Sequence, residues 1–108
     1  MNAKSLLENL PADLPEELCT TILQAAGLRV ERIVSQGHAS AAGFWYDQDE
    51  NEWVLVLEGS AAVQFEGDAQ PVELRRGSYL TIPAHARHRV VWTDPDAKTV
   101  WLAIHYRP

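Results

Sequence analysis

The chain has 108 residues, 46% of them hydrophobic and 22% charged, a composition that excludes global disorder. A single cysteine, Cys19, excludes an intrachain disulfide framework and CxxC metal or redox motifs, and the net charge of −6 argues against a dedicated polyanion binder. The longest apolar run, Trp53 to Leu57, is too short for a bilayer, and Glu8 and Asp13 stand where a secretory leader needs apolar residues.

One cytoplasmic domain is therefore expected, without a nucleic-acid or membrane partner. In chain order, residues 1–27 read as an N-terminal extension. Pro15 to Ala26 has the marks of a short helix: proline and glutamates in the first turn, Leu18 and Ile22 four apart, and Gly27 at the exit. From residue 28 to 108 the pattern changes to short strands. The candidates are Leu28–Ser35, Phe44–Tyr46, Glu52–Glu58, Ala61–Glu66, Pro71–Arg75, Tyr79–Ile82, His88–Thr93 and Thr99–Tyr106. Gly59-Ser60, Gly67-Asp68, Arg76-Gly77, Pro83 and Asp94-Pro95-Asp96 punctuate them with turn residues. Strands at this spacing, with no long helices between them, predict an all-β sandwich or jelly-roll barrel.

Strand parity adds detail. Val63 to Glu66 and Val72 to Arg75 alternate apolar and polar residues, whereas Trp53 to Leu57 is apolar on both faces and needs a second cover. If Glu52 points inward, Trp53, Leu55 and Leu57 point outward, a row whose cover is either the N-terminal segment or a second copy of the chain. A homodimer is the expectation.

Two segments resemble the cupin superfamily. Glu52-Trp-Val-Leu-Val-Leu-Glu-Gly59 is similar to the second half of the first cupin motif. Gly77-Ser-Tyr-Leu-Thr-Ile-Pro83-Ala-His-Ala-Arg-His88 is similar to the other. The resemblance implies a cupin double-stranded β-helix over residues 28–108 and carries Glu52 and His88 onto the family's metal-ligand positions. It places Trp45 and Asp47 where the family's paired histidines stand, and reads Pro83-Ala84-His85 where Pro-x-Gly is usual. An indole nitrogen donates only, so Trp45 cannot ligate an ion, while Asp47 can.

The candidate metal ligands are thus His88, Glu52, Asp47 and His105, with Trp45 and Trp92 as pocket lining. Parity puts His88 on one face with Val90 and Trp92, and Glu52 with Val54 and Val56. The direction of His105, on a strand apolar on both faces, stays open, as does that of His85. The ion implied is Fe, Mn, Ni or Zn, and an oxygen-rich set favours Mn(II) or Fe(II). Loss of the paired histidines also admits a site without metal. The functions compatible with this are a metal-assisted reaction on a small molecule, a non-catalytic metal-free ligand-binding or sensor barrel, and acid–base chemistry by His88 with Glu52. The run Asp47 to Glu58 fails as a calcium loop, because its sixth position is Glu52 and a strand follows. Cys19 lacks a histidine nearby in sequence and reads as a packed or surface thiol, and the arginines at 75, 76, 87 and 89 as solvated or ion-paired faces.

Overall fold

A computed structural model describes all 108 residues. It contains eight strands and no helix: β1 (Leu18–Ala25), β2 (Leu28–Ser35), β3 (Asn51–Glu58), β4 (Ser60–Phe65), β5 (Val72–Arg75), β6 (Tyr79–Ile82), β7 (His88–Thr93) and β8 (Thr99–Tyr106). No helix is therefore long and apolar enough to cross a membrane. One sheet has the order β1-β2-β8-β3-β6 and the other β5-β4-β7, and every pairing is antiparallel. The expected all-β cupin architecture is present.

The N-terminal helix is not. Its central residues form the edge strand β1, hairpinned to β2 through Ala25↔Leu28, with Gly27 in the left-handed region at φ 70°. The reason lies in the spacing: Leu18 and Ile22 are four apart, which is even and so fits the two-residue period of a strand as well as a helix turn. The β-branched run Thr20-Thr21-Ile22 then tips the balance towards strand. Phe44–Tyr46 also forms no full strand. It leaves one isolated bridge, Tyr46↔His88.

The core lies between the two sheets. Alternate residues of β3, Val54 and Val56, meet Trp101 and Ala103 of β8, Ala61 and Val63 of β4, Leu74 of β5 and Ile82 of β6. Full burial of each valine or isoleucine is worth about 1.5–3 kcal/mol. The outward residues Trp53, Leu55 and Leu57 are half-buried, and Trp53 lies against Tyr79 with ring centroids 5.6 Å apart. Arg32, on the outer face, donates to the carbonyls of Leu6 (3.2 Å) and Glu8 (2.8 Å), which ties the N-terminal segment to the outside of the larger sheet.

Candidate functional site

A cavity of about 310 Å³ opens between the sheets on the inner side of β1, β2, β3, β7 and β8. Register explains how its polar wall arises. Arg29 of β2 stands opposite His105 of β8, His105 opposite Glu52 of β3, and Glu52 opposite Ile82 of β6, so one row across the larger sheet presents a guanidinium, an imidazole and a carboxylate. His88 faces this row from the smaller sheet. Ile33, Val54, Val63, Ile82, Val90 and Trp101 supply the apolar floor.

His88 is 5% exposed, and its Nδ1–H donates to the carbonyl of Ala86 at 2.8 Å. A carbonyl only accepts, so in the neutral imidazole the ring proton sits on Nδ1 and Nε2 carries the lone pair. That Nε2 lies 3.9 Å from Oε1 of Glu52, beyond hydrogen-bond range. Glu52, 9% exposed, receives an N–H from Gln48 on Oε1 (3.0 Å), and no side chain donates to its second oxygen. His105 also lines the cavity, which settles its direction. Its Nε2 is engaged with Glu31 Oε1 at 3.0 Å, while Nδ1 is enclosed without a partner. The same Glu31 receives the Cys19 thiol (3.3 Å) and lies 3.4 Å from Nε of Arg29, whose other carboxylate partner is Glu50 at 3.2 Å. Behind the lining, the fully buried Ser35 donates to Glu17 (2.6 Å) and accepts from the Trp101 indole (3.2 Å).

Two groups have shifted acidity. The Cys19 thiol is pushed up to about 11, first by burial, then by its hydrogen bond to Glu31 and the negative charges of Glu31 and Glu17. Tyr46 is also raised, again first by burial and then by Glu17, Glu52 and Cys19. Both groups therefore stay protonated at neutral pH, as donors rather than nucleophiles.

Three of the sequence candidates come together: Glu52, His88 and His105. Asp47, Trp45 and Trp92 lie outside the cavity lining. Asp47 is exposed and accepts from His85 Nδ1 at 2.8 Å, so His85 also faces away. Trp45 has the guanidinium of Arg89 over its ring at 5.9 Å. Trp92 is 38% exposed. A bulge displaces it: Ala62 pairs with Trp92 but Val63 with Val90, so Val91 is an extra residue that reverses the alternation beyond Val90.

Tyr46 and Gln48 occupy the places expected of Trp45 and Asp47. The Tyr46↔His88 bridge puts these two residues on one face, which turns Trp45 and Asp47 outward. Shortening the assumed spacing before Glu52 by one residue would have found both. Glu17, Cys19, Arg29 and Glu31 had no such signal, because the segment of Glu17 and Cys19 was read as a helix and that of Arg29 and Glu31 as plain sheet.

A resident divalent ion does not fit this donor set. His88 and Glu52 bring two ligating side chains to shared space, and no group of three or more His, Cys, Asp or Glu side chains is arranged to hold an ion. His105 is engaged by Glu31, and Asp47 is outside.

Residues 32–105 match the family model described as Cupin domain. The chain belongs to the cupin family. A structure from Ralstonia eutropha JMP134, described as a "putative mannose-6-phosphate isomerase", is 45% identical, with a TM-score of 0.96 and complete coverage of both chains. A cupin superfamily protein from Desulfitobacterium hafniense DCB-2 is 19% identical, with a TM-score of 0.74 over 92% of this chain and 84% of that one. The protein TT1209 from Thermus thermophilus is 18% identical, with a TM-score of 0.78 and complete coverage of both chains. At these lower identities the likeness is one of fold. No curated protein matches this cupin significantly.

Proposed function

We propose that this cupin binds a small organic molecule directly on His88 and Glu52, without a resident metal between them. The observation that carries this reading is the free Nε2 of a nearly buried His88 beside the half-used carboxylate of Glu52, above an apolar floor. These two side chains are nearly buried, yet each keeps an unspent polar atom facing the cavity, where a ligand can reach it. The divalent metal implied by the cupin motifs would have these same two residues as holders, and two protein ligands make a weak site.

Both groups can also exchange a proton with what they bind, which suits the enolisation chemistry of an isomerase. The substrate in the Ralstonia protein's description is a sugar phosphate. A phosphate dianion needs unspent cationic donors, and here the one guanidinium of the lining, Arg29, already serves Glu31 and Glu50.

The test is a fragment screen on the purified protein by NMR, read at His88 and Trp101. Binders are expected to perturb both residues, to bind equally well in the presence of a chelator, and to lose affinity in His88→Ala. Binders that require Mn²⁺, Fe²⁺, Ni²⁺ or Zn²⁺ would overturn the metal-free reading.

A further inference from the structure

We infer that the occupant of this cavity is a small organic cation with an ammonium-type head group and a short apolar body. The inference rests on the direct-binding reading above and adds the chemical class of the ligand. Its basis is an audit of charge and of unspent donors and acceptors. The lining holds three carboxylates, Glu17, Glu31 and Glu52, against the single guanidinium of Arg29. Arg29 is shared between Glu31 and Glu50, so it leaves Glu17 and Glu52 uncompensated.

Several donors in and directly behind the wall are spent internally. The Trp101 indole goes to Ser35, the Ser35 hydroxyl to Glu17, the Cys19 thiol to Glu31 and the Gln48 amide to Glu52. The acceptors are not: His88 Nε2 and one oxygen each of Glu52 and Glu17 receive nothing from the protein. An acceptor-rich, net negative pocket is complementary to a ligand that brings several N–H donors and a positive charge. Two nearly buried side chains, His88 and Glu52, carry these free atoms, so the feature is more than a surface cluster of acids. The head group then takes Glu52 and His88 Nε2, while the body lies on Val54, Val63 and Ile82. A volume of about 310 Å³ lies at the lower end of ligand pockets and suits a small molecule.

A matched series isolates the head group: isobutylamine, isobutanol and isobutyl phosphate, titrated into the full chain by NMR at His88 and Trp101. The amine is expected to bind about ten-fold more tightly than the alcohol, the margin of a charge-assisted over a neutral hydrogen bond, and the phosphate most weakly. Glu52→Gln should bring the amine to the level of the alcohol, with a much smaller loss for the alcohol itself. Glu17→Gln, at the mouth, should lower amine affinity in the same direction and serves if Glu52→Gln fails to fold.

An amine bound no better than the alcohol, with both sensitive to His88→Ala, overturns the cation but leaves direct binding standing. Tightest binding by the phosphate does the same. If none of the three perturbs His88 or Trp101 at millimolar concentration, or if Zn²⁺ or Mn²⁺ alone binds there at micromolar concentration, both readings fall together.

Discussion

Tyr46 and His88 face each other across a two-bond antiparallel bridge, N to O at 2.7 and 3.1 Å, and their rings stack at 5.3 Å with 24° between planes. Phe65 approaches the same imidazole on the neighbouring strand, with centroids 6.0 Å apart. His88 is thus held between two aromatic side chains while Ala86 sets its tautomer. Removing the Tyr46 ring frees one side of this clamp. Tyr46→Leu should cost roughly 1 kcal/mol of stability, broaden the His88 ring signals in NMR and lower ligand affinity several-fold, whereas Tyr46→Phe should do none of these.

The raised Cys19 thiol makes an alkaline prediction with a definite sign. Its folded value, about 11, lies above the ordinary 9.0, so the fold binds the thiol proton more tightly than the unfolded chain does. This contribution is complete below pH 9.0 and is lost as pH rises through about 11. Denaturant midpoints should therefore fall across that window, and more shallowly in Cys19→Ser. Iodoacetamide should alkylate the native thiol far more slowly than a free cysteine at the same pH.

His85 stands where the cupin motif usually has glycine, and its backbone is in the left-handed region at φ 64°. A side chain there is strained, and the exposed bond to Asp47 returns little. His85→Gly should therefore be more stable than His85→Ala by about 1 kcal/mol in chemical denaturation.

Seven of the eight strands were legible from Leu28 onward, because glycine, proline and aspartate mark nearly every turn between them. The edge strand β1 was not, since an even spacing of apolar residues does not distinguish strand from helix. At the site, motif spacing pointed to Glu52 and His88, whereas His105 was a candidate whose direction the apolar faces of its strand left open. The partners that tune them were not. Gln48 reaches Glu52 and Glu31 reaches His105 only once strand register is known, and register does not appear in local sequence.

That edge strand also bears on assembly. All eight residues of β1 are exposed, with Leu18 at 38%, Ile22 at 49% and Leu23 at 53%, an apolar edge of the kind that monomers normally blunt. We propose that a second copy of the chain covers it. Light scattering is expected to give twice the 12.1 kDa of one chain, and Ile22→Lys to shift the value towards the monomer. A mass of 12.1 kDa for the native chain at micromolar concentration would refute the dimer.

The extra residue in β7 sets which changes of length this gene can absorb. Val91 opposes nothing of its own on β4, and Trp92 stands opposite Ala62, outside the cavity, while His88 and Val90 stay within. Deleting the Val91 codon would remove the bulge yet leave the indole next to Val90 and still opposite Ala62, on the outer face. Inserting a codon between Ala62 and Val63 would instead give Val91 a partner, restore the plain two-residue alternation and swing the indole inward onto the apolar floor. Descendants of this gene can therefore lose three nucleotides on one strand and keep the binding chamber, whereas a gain of three on the facing strand would fill it.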